Sequence, residues 1–310
     1  MSVGHKVRVA LRRAAATASV VLPREKSLKL ERYMRGKEDF RMIGQSDAVV
    51  VSFGKSGRTW LRVLLSRFYQ LRYELPADRL LEHDNLHALN PKIPRVFFTH
   101  DNYLSDFTGA PHFKSPYARK KVVLLVRHPA DTAVSQYHQW KHRMRGRKKF
   151  INGYPDSADL PLFDFVTGSS AGIPKIVRFM NIWANELDQI DQTIVVRYES
   201  LKADTAGALG RILEFLGEKP TAEELAECVS FASVENMRDM EKTAHFKGVG
   251  DRMKPGDANN PDSYKVRRAK AGGYRDDFDE AQLANIDKLV ADTLAKTYGY
   301  SGGSPDRRVV

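Results

Sequence analysis

The chain has 310 residues, 42% of them hydrophobic and 28% charged, which is typical of a globular protein with a sizeable core. A formal net charge of +12 favours anionic ligands, whether nucleic acid, an anionic membrane surface or a phosphorylated small molecule. The single cysteine, Cys228, excludes an intramolecular disulfide framework, and no apolar run approaches the ~18 residues that a membrane-spanning helix needs.

The N-terminal segment is set apart by its charge. Residues 1–45 contain many lysines and arginines, few acids and no sustained strand pattern. We interpret this segment as a basic N-terminal arm outside the core. Residues 46–300 then form the main domain, and residues 301–310 form a flexible tail.

Strand and helix patterns alternate along the main domain. Short β-branched apolar runs predict strands buried on both faces at residues 48–53, 95–99, 121–126 and 193–197. Apolar residues at helical spacing predict helices at residues 59–71, 130–142, 206–216 and 280–297. This alternation indicates an α/β fold, a parallel sheet flanked by helices, with ligands at the carboxyl ends of the strands. The polar stretches 144–170 and 245–275 are predicted to be lids, binding segments or disordered segments.

The turn after the first strand carries the residues of a phosphate site. Gly54 and Gly57 flank Lys55, and Thr59 lies where the next helix begins. Free backbone N–H groups and the positive end of the helix dipole therefore meet a lysine charge and a hydroxyl group. Such a turn favours an anion.

A nucleoside triphosphatase or kinase loop is one interpretation of this turn. Gly54-Lys55-Ser56 matches the end of the G-x-x-x-x-G-K-[ST] pattern, but the first glycine of that pattern would fall at Val49, inside the strand. The strand that ends at Val126 continues into Arg127, where a kinase would need an aspartate for Mg²⁺. A P-loop kinase of a small molecule remains an alternative, as does a basic module that binds nucleic acid or a membrane.

Residues 52–61, Ser-Phe-Gly-Lys-Ser-Gly-Arg-Thr-Trp-Leu, resemble the 5′-phosphosulfate loop of the PAPS-dependent sulfotransferases, Y-P-K-S-G-T-T-W-L. The resemblance implies a P-loop-containing nucleoside triphosphate hydrolase-like sulfotransferase fold over residues 46–300. It also implies 3′-phosphoadenylyl sulfate (PAPS) as sulfuryl donor and its desulfated form, PAP, as product. The donor-binding residues implied here are Lys55, Ser56, Gly57, Arg58, Thr59 and Trp60. The sequence departs from the family at Gly54, where the family has proline, and at Arg58, where it has threonine.

A second segment resembles the part of the family that binds the 3′-phosphate. Residues 127–137 are similar to R-N-P-x-D-x-x-V-S-x-Y. The resemblance implies that Arg127 and Ser135 hold the 3′-phosphate. The strand-to-helix placement supports it, because Ser135 lies two helical turns beyond Arg127.

Two further segments complete the resemblance. Tyr198 begins a stretch similar to Y-E-D-L-K and is implied to lie against the adenine, as is Phe231 of a Ser-Phe pair. Residues 266–275 are similar to R-K-G-x-x-G-D-W. They imply a second cationic contact to the 3′-phosphate through Arg267, Arg268 and Ala269, with Ala269 in the place of a glycine.

The resemblance also implies a catalytic set without a metal. His100 ends the second strand where the family often has K-T-H with the histidine as general base, although the aligned lysine is Phe98 here. Sulfuryl transfer needs a base on the acceptor side and cations on the leaving side. Lys55 is implied to contact the leaving oxygen, and Ser135 to steer Lys55.

The acceptor is suggested only by charge. A basic run follows the 3′-phosphate helix at residues 141–149, between Trp140 and Phe150. With the N-terminal arm it favours a glycan, lipid or lipid-linked saccharide as acceptor and peripheral contact with an anionic membrane. No nucleic-acid partner is expected. The single cysteine suits a reducing compartment, so the protein is expected in the cytoplasm.

Overall fold

Four parallel strands form the central sheet, in the order β2-β1-β3-β4. The computed structural model describes residues 23–110, 112, 114–157, 159–249, 253–302 and 304–310. The strands are β1 (Ala48–Ser52), β2 (Val96–Thr99), β3 (Lys121–Val126) and β4 (Gln192–Arg197). All four predicted strands are therefore confirmed, with bounds that differ by one residue at most.

The β-branched strands are buried on both faces because successive side chains point to opposite sides of the sheet. Val50 of β1 packs into one apolar core with Val123 of β3. Val49 and Val51 pack into the other core with Leu124. Helices cover both faces, which confirms the α/β class.

The helices bear out the predicted periodic segments and add several more. Pro129 occupies the first helical position after β3, where its missing N–H costs no hydrogen bond. The helices are α1 (Arg24–Gln45), α2 (Arg58–Arg72), α3 (Leu104–Thr108), α4 (Pro129–His142), α5 (Gly146–Ile151), α6 (Leu162–Thr167), α7 (Ile173–Glu186), α8 (Tyr198–Ala203), α9 (Thr205–Leu216), α10 (Ala222–Phe231), α11 (Val234–Lys242) and α12 (Glu280–Thr293). Within the described part of the chain, no helix combines the length and apolarity needed to span a membrane.

The N-terminal segment differs from the expected arm outside the core. Its second half is α1, whose Met42 and Ile43 are buried. Glu31 is only 4% exposed, because Arg35 of the same helix and Arg147 of α5 both pair with it. Residues 24–45 thus belong to the folded domain, since a few apolar side chains and buried ion pairs fix a helix whose composition is mostly polar. Residues 1–22 lie outside the described residues.

The C-terminal residues also pack on the domain instead of extending from it as a tail. Val310 donates to the carbonyl of Val195 at 2.8 Å, and Val195 donates to the carbonyl of Arg308 at 2.8 Å. The last residues thereby extend the sheet beyond β4 in parallel. An edge strand has free N–H and C=O groups, and residues 308–310 satisfy both groups of Val195 and the N–H of Arg197.

The strand order creates a crevice at the carboxyl edge of the sheet. β2 lies on one side of β1 and β3 on the other, so the loops that leave β1 and β3 diverge. In open α/β sheets such a switch point is where ligands bind. The predicted phosphate loop and the Arg127 segment both begin there.

Candidate active site

A cavity of about 420 Å³ opens at this crevice, within the usual size of a small-ligand site. It brings together loops that are distant in sequence: those after β1, β2 and β3, and the segment 265–274. The predicted site residues that line it are Lys55, Gly57, Arg58, Thr59, Trp60, His100, Arg127, Ser135, Tyr198, Arg267, Arg268 and Ala269. Ser56 and Phe231 do not line it.

The loop after β1 is a tight turn that leads into α2. Lys55 and Gly57 both have positive φ angles, 74° and 94°, and Gly57 is the residue before the first helical turn. No side chain caps the start of α2, and no acid lies in its first turn. The exposed N–H groups and the helix dipole therefore leave this end suited to an anion.

The cavity disfavours the charged form of the Lys55 side chain. Burial, followed by the nearby Arg143, lowers its pKa from 10.5 to about 7, while Glu241 opposes the shift. Its Nζ reaches the carbonyl oxygen of Lys265 only at 3.5 Å. A lysine whose ammonium lacks compensation is stabilised in its charged form by a bound oxyanion.

Arg127 and Ser135 form a second polar group on the β3 side of the crevice. Arg127 lies over the ring of Tyr198 at 4.4 Å and donates to the carbonyl of Lys270 at 2.9 Å. Its Nε is buried without a hydrogen-bond partner among the described residues. Ser135, half-buried on α4, lines the same cavity. An orphaned buried donor beside a hydroxyl fits an anionic ligand.

Asp131 holds the 266–275 segment against α4. The sequence did not reveal this role. Its carboxylate accepts hydrogen bonds from the backbone N–H of Gly272 at 2.7 Å and of Tyr274 at 3.0 Å. Asp131 is 3% exposed and lies 3.5 Å from Arg127. Asp131 thus joins the 3′-phosphate motif to the 266–275 segment. Its position in the R-N-P-x-D motif is the sequence feature from which this role could have been predicted.

The 266–275 segment carries the basic pair on a strained backbone. Arg267 lies 3.6 Å from Asp262 and Arg268 2.9 Å from Asp277, so both cations are partly compensated. Ala269 has a φ of 50°, a left-handed conformation that disfavours a residue with a β-carbon. The glycine expected at this position by resemblance would adopt it without strain.

Aromatic rings line the crevice beside these cationic side chains. The rings of Trp60 and Tyr198 meet edge to face at 5.9 Å, and Trp60 donates through Nε1 to the carbonyl of Ala232 at 2.9 Å. Residue 232 therefore lies at the cavity. Phe231 packs instead under Arg67 of α2 at 4.6 Å, because the last turn of α10 directs it toward α2. Its predicted contact with a ligand in this cavity is not supported.

His100, at the end of β2, is fixed by both ring nitrogens. Nδ1 donates to the carbonyl of Ser52 at 2.7 Å, and Nε2 accepts from Nη2 of Arg58 at 2.7 Å. Burial and then Arg58 lower the pKa of His100 well below its ordinary value. The ring is therefore neutral at pH 7 and carries its lone pair on Nε2, as a general base requires.

The cavity is strongly cationic. Among the described residues, every charged side chain that lines it is a lysine or arginine except Asp131. Lys148 of the predicted basic run lines the cavity. Sequence reasoning missed Lys265, whose Nζ lies 3.3 Å from the hydroxyl of Thr59. It also missed Gln136 and Gln139 of α4. The cavity therefore favours anionic ligands.

One group near the cavity has the donor atoms of a cation site. Potential ligand atoms of His138, His142 and Asp262 lie within 4.8 Å of one another. However, Arg267 lies 3.6 Å from the same carboxylate, and burial and Arg267 lower the pKa of His138 to about 4. The local positive charge opposes a metal ion there, and the group packs the turn Pro261–Ser263 on α4.

Known proteins are similar to this chain in sequence and in fold. The family model for the sulfotransferase domain matches residues 45–298. Cytosolic sulfotransferase 16 of Arabidopsis thaliana is 27% identical over 86% of this chain and 81% of its own length, and cytosolic sulfotransferase 12 is 26% identical over 79% and 76%. The crystal structure of mouse sulfotransferase SULT7A1 complexed with PAP aligns with a TM-score of 0.53 at 18% identity, over 82% of this chain and 89% of that one.

Proposed function

The chain belongs to the sulfotransferase domain family, and from that premise we propose that it transfers a sulfuryl group from PAPS to a hydroxyl or amine, releasing PAP. One observation carries the proposal: cationic side chains of two loops, Lys55 after β1 and Arg127 after β3, line a single cavity together with the rings of Trp60 and Tyr198. A nucleotide with phosphates at both its 5′ and 3′ positions needs that arrangement. A kinase would need only the first group, together with an acid for Mg²⁺.

The donor's 5′ end is assigned to the turn before α2. Lys55 supplies charge, Gly57 lets the backbone approach, and Thr59 supplies a hydroxyl. The lowered pKa of Lys55 supports this role, because a phosphosulfate restores the charge that burial disfavours.

The donor's 3′-phosphate is assigned to the second cationic group. Arg127, Ser135 and the pair Arg267-Arg268 would hold it, since the buried Nε of Arg127 has no partner among the described residues. Tyr198 and Trp60 supply the apolar surface on which the adenine rests.

In the chemical step the acceptor oxygen attacks sulfur, and the bond from sulfur to the 5′-phosphate oxygen breaks. The acceptor's proton passes to Nε2 of His100, whose tautomer supports this role. Lys55 stabilises the negative charge that develops on the leaving phosphate. Ser135, a half-buried hydroxyl on the same cavity wall, is proposed to steer Lys55.

A glycan, a lipid or a lipid-linked saccharide is the proposed source of the acceptor hydroxyl, and the cytoplasm the proposed compartment. Part of the basic run that motivated membrane contact is used within the domain. Arg143 pairs with Glu241 at 2.7 Å and Arg147 with Glu31, while Lys149 lies over Trp140 at 4.6 Å. Peripheral contact with an anionic membrane therefore relies on the remaining basic residues.

Calorimetry with PAP, with and without Mg²⁺, tests the donor. We expect tight binding that does not depend on the metal, whereas a preference for ATP with Mg²⁺ would contradict the proposal and favour a kinase. The His100→Ala variant should bind PAP as the wild type does and lose turnover of PAPS.

A further inference from the structure

Lys265 contacts the proposed site of the donor's 5′ end through both its backbone and its side chain. Its carbonyl oxygen lies 3.5 Å from Nζ of Lys55, and its own Nζ donates to the hydroxyl of Thr59 at 3.3 Å. Thr59 lies in the first turn of α2, where the backbone N–H groups have no partners within the helix. A residue far away in the sequence thus meets both side chains that are assigned to the 5′-phosphate.

A buried ion pair fixes the backbone of Lys265. Glu241 of α11 is completely buried, and its two carboxylate oxygens accept from the N–H of Lys265 at 2.9 and 3.0 Å. Arg143 of α4 donates to the same carboxylate and to the carbonyl of Ser263, both at 2.7 Å. Because a buried carboxylate is costly without its partners, this network holds Lys265 at one place beside the turn that precedes α2.

The residues that follow Lys265 are held as well. Arg238 of α11 donates to the carbonyl of Val266 at 3.2 Å and to the carbonyl of Arg267. The freedom that remains to Lys265 is therefore mainly that of its side chain. A lysine carries a compact charge and three donor hydrogens on a flexible stem, so its ammonium can contact Thr59 and an oxyanion at the same time.

The ammonium of Lys265 also lies near the proposed base. Burial and then Arg58 lower the pKa of His100 most, and the positive charge of Lys265 adds to that shift. Lys265 thus acts on both the turn before α2 and His100, and it lines the cavity that joins them. The sulfuryl group of the proposed reaction moves between these two places. A cation there stabilises the charge that develops as the leaving phosphate departs.

We infer, on the premise of the proposed function, that Lys265 is a further donor-binding and catalytic residue, whose ammonium binds the donor's 5′-phosphate and stabilises it as the bond from sulfur to oxygen breaks. Thr59 supports this contact, because a hydroxyl that accepts from Lys265 keeps its own hydrogen for a phosphate oxygen. The 5′-phosphate gains negative charge when the sulfuryl group leaves. Lys265 should therefore contribute more to the binding of PAP than to that of PAPS.

Three nucleotides separate the two ends of the donor site. PAP carries both phosphates, adenosine 5′-phosphate lacks the 3′-phosphate, and adenosine 3′-phosphate lacks the 5′-phosphate. Their affinities for the wild-type protein and for Lys265→Met are measured by calorimetry, with the weaker ligands titrated in competition with PAP. Methionine keeps an unbranched stem and removes the charge.

Lys265→Met should weaken the binding of PAP and of adenosine 5′-phosphate about tenfold or more, since a hydrogen bond to a charged group is lost. The affinity for adenosine 3′-phosphate should stay the same. Lys265→Arg should restore part of the lost affinity. The matched control is Lys247→Met, at an exposed lysine that pairs with Asp78 and does not line the cavity; it should change none of the three affinities.

The catalytic part of the inference has its own measurement. Release of PAP is followed at saturating PAPS with water as the acceptor, so no other acceptor is needed. Lys265→Met should lower this rate about tenfold or more, Lys265→Arg should recover part of it, and Lys247→Met should leave it unchanged. A rate that Lys265→Met leaves unchanged would overturn the catalytic role.

Three other outcomes overturn the contact with the 5′-phosphate. They are unchanged binding of PAP and adenosine 5′-phosphate, an equal loss for all three nucleotides, and a loss limited to the two nucleotides that carry a 3′-phosphate. The second would indicate a deformed cavity, and the third would assign Lys265 to the other phosphate. Failure of the wild-type protein to bind PAP contradicts the proposed function instead, so the two failures are distinct.

Discussion

The ring of Tyr198 lies against the backbone of Gly57, so closely that a β-carbon on Gly57 would be 2.7 Å from Cδ2 of the ring. Gly57 also has a φ of 94°. Gly57→Ala should therefore cost about 1–2 kcal/mol of stability from the backbone alone and weaken PAP binding by displacing Tyr198. Urea denaturation and calorimetry measure the two effects.

The control for this substitution is Gly44→Ala. Gly44 is exposed in α1, and a β-carbon there meets nothing within 4 Å. This change should stabilise the protein by about 0.5–1 kcal/mol and leave PAP binding unchanged. Equal effects of the two substitutions would rule out the contact between Gly57 and Tyr198 as the cause.

Donor binding should take up a proton through Lys55. Its pKa in the ligand-free protein is about 7, and bound phosphates raise it, so above pH 7 the affinity for PAP should fall by up to tenfold per pH unit. Calorimetry in two buffers of different ionisation enthalpy counts the protons. Lys55→Met should abolish the uptake, and Lys288→Met, at an exposed site paired with Asp292, should not.

The lowered pKa of Lys55 also makes the stability of the ligand-free protein depend on pH. The unfolded state, in which Lys55 titrates at its ordinary pKa, binds more protons than the folded state between about pH 7 and pH 10.5. The contribution of Lys55 to stability therefore rises with pH across that window. For the donor-binding prediction above, an affinity for PAP that does not change from pH 7 to 9 would be the contradicting result, because Lys55 would then already be charged in the ligand-free protein.

The acid limb of the activity profile should lie well below pH 6.5. Burial and Arg58 hold the pKa of His100 well below its ordinary value of 6.5, so the ring stays neutral and able to accept a proton in mild acid. The profile of kcat/KM for the acceptor at saturating PAPS measures this. An inflection near pH 6.5 would contradict it, and His87→Gln, at a histidine that does not line the cavity, is the control that should leave the profile unchanged.

Substitution of Asp131 should weaken donor binding but leave the sulfuryl-transfer step unchanged. Asp131→Ala removes the acceptor of two amide hydrogen bonds at 2.7 and 3.0 Å, each worth about 1.5–3 kcal/mol when the acceptor is charged. The 266–275 segment should loosen, and the affinity for PAP should fall at least tenfold. Asp292→Ala, which removes an exposed pair with Lys288 far from the segment, should leave the affinity unchanged.

Ala269 is a position where a single substitution should stabilise the chain. Ala269→Gly relieves a φ of 50°, a gain of about 1–2 kcal/mol that the extra freedom of unfolded glycine reduces to about 0.5–1 kcal/mol. Ala284→Gly, in the exposed interior of α12, should destabilise by a similar amount. Thermal denaturation compares them, and a loss of stability in Ala269→Gly would contradict the assigned strain.

Local patterns in the sequence carried much of the fold. β-Branched runs predicted all four strands, and Pro129 and Gly217 lay where helices begin and end. The site loops could be predicted for the same reason, since Lys55 and Arg127 each follow a strand whose pattern is clear. Such patterns indicate whether a segment is buried and whether it is a helix or a strand. Both properties depend on residues that are close together in the sequence.

The sequence by itself determined the α/β class, the family and the residues at the carboxyl ends of the strands. Only the tertiary structure decided that Arg58 contacts His100, that Phe231 packs on α2, and that α1 and the C-terminal residues belong to the domain. Each depends on partners far apart in the chain. Periodicity shows that a face is covered, but the element that covers it is selected by packing and charge pairing in three dimensions.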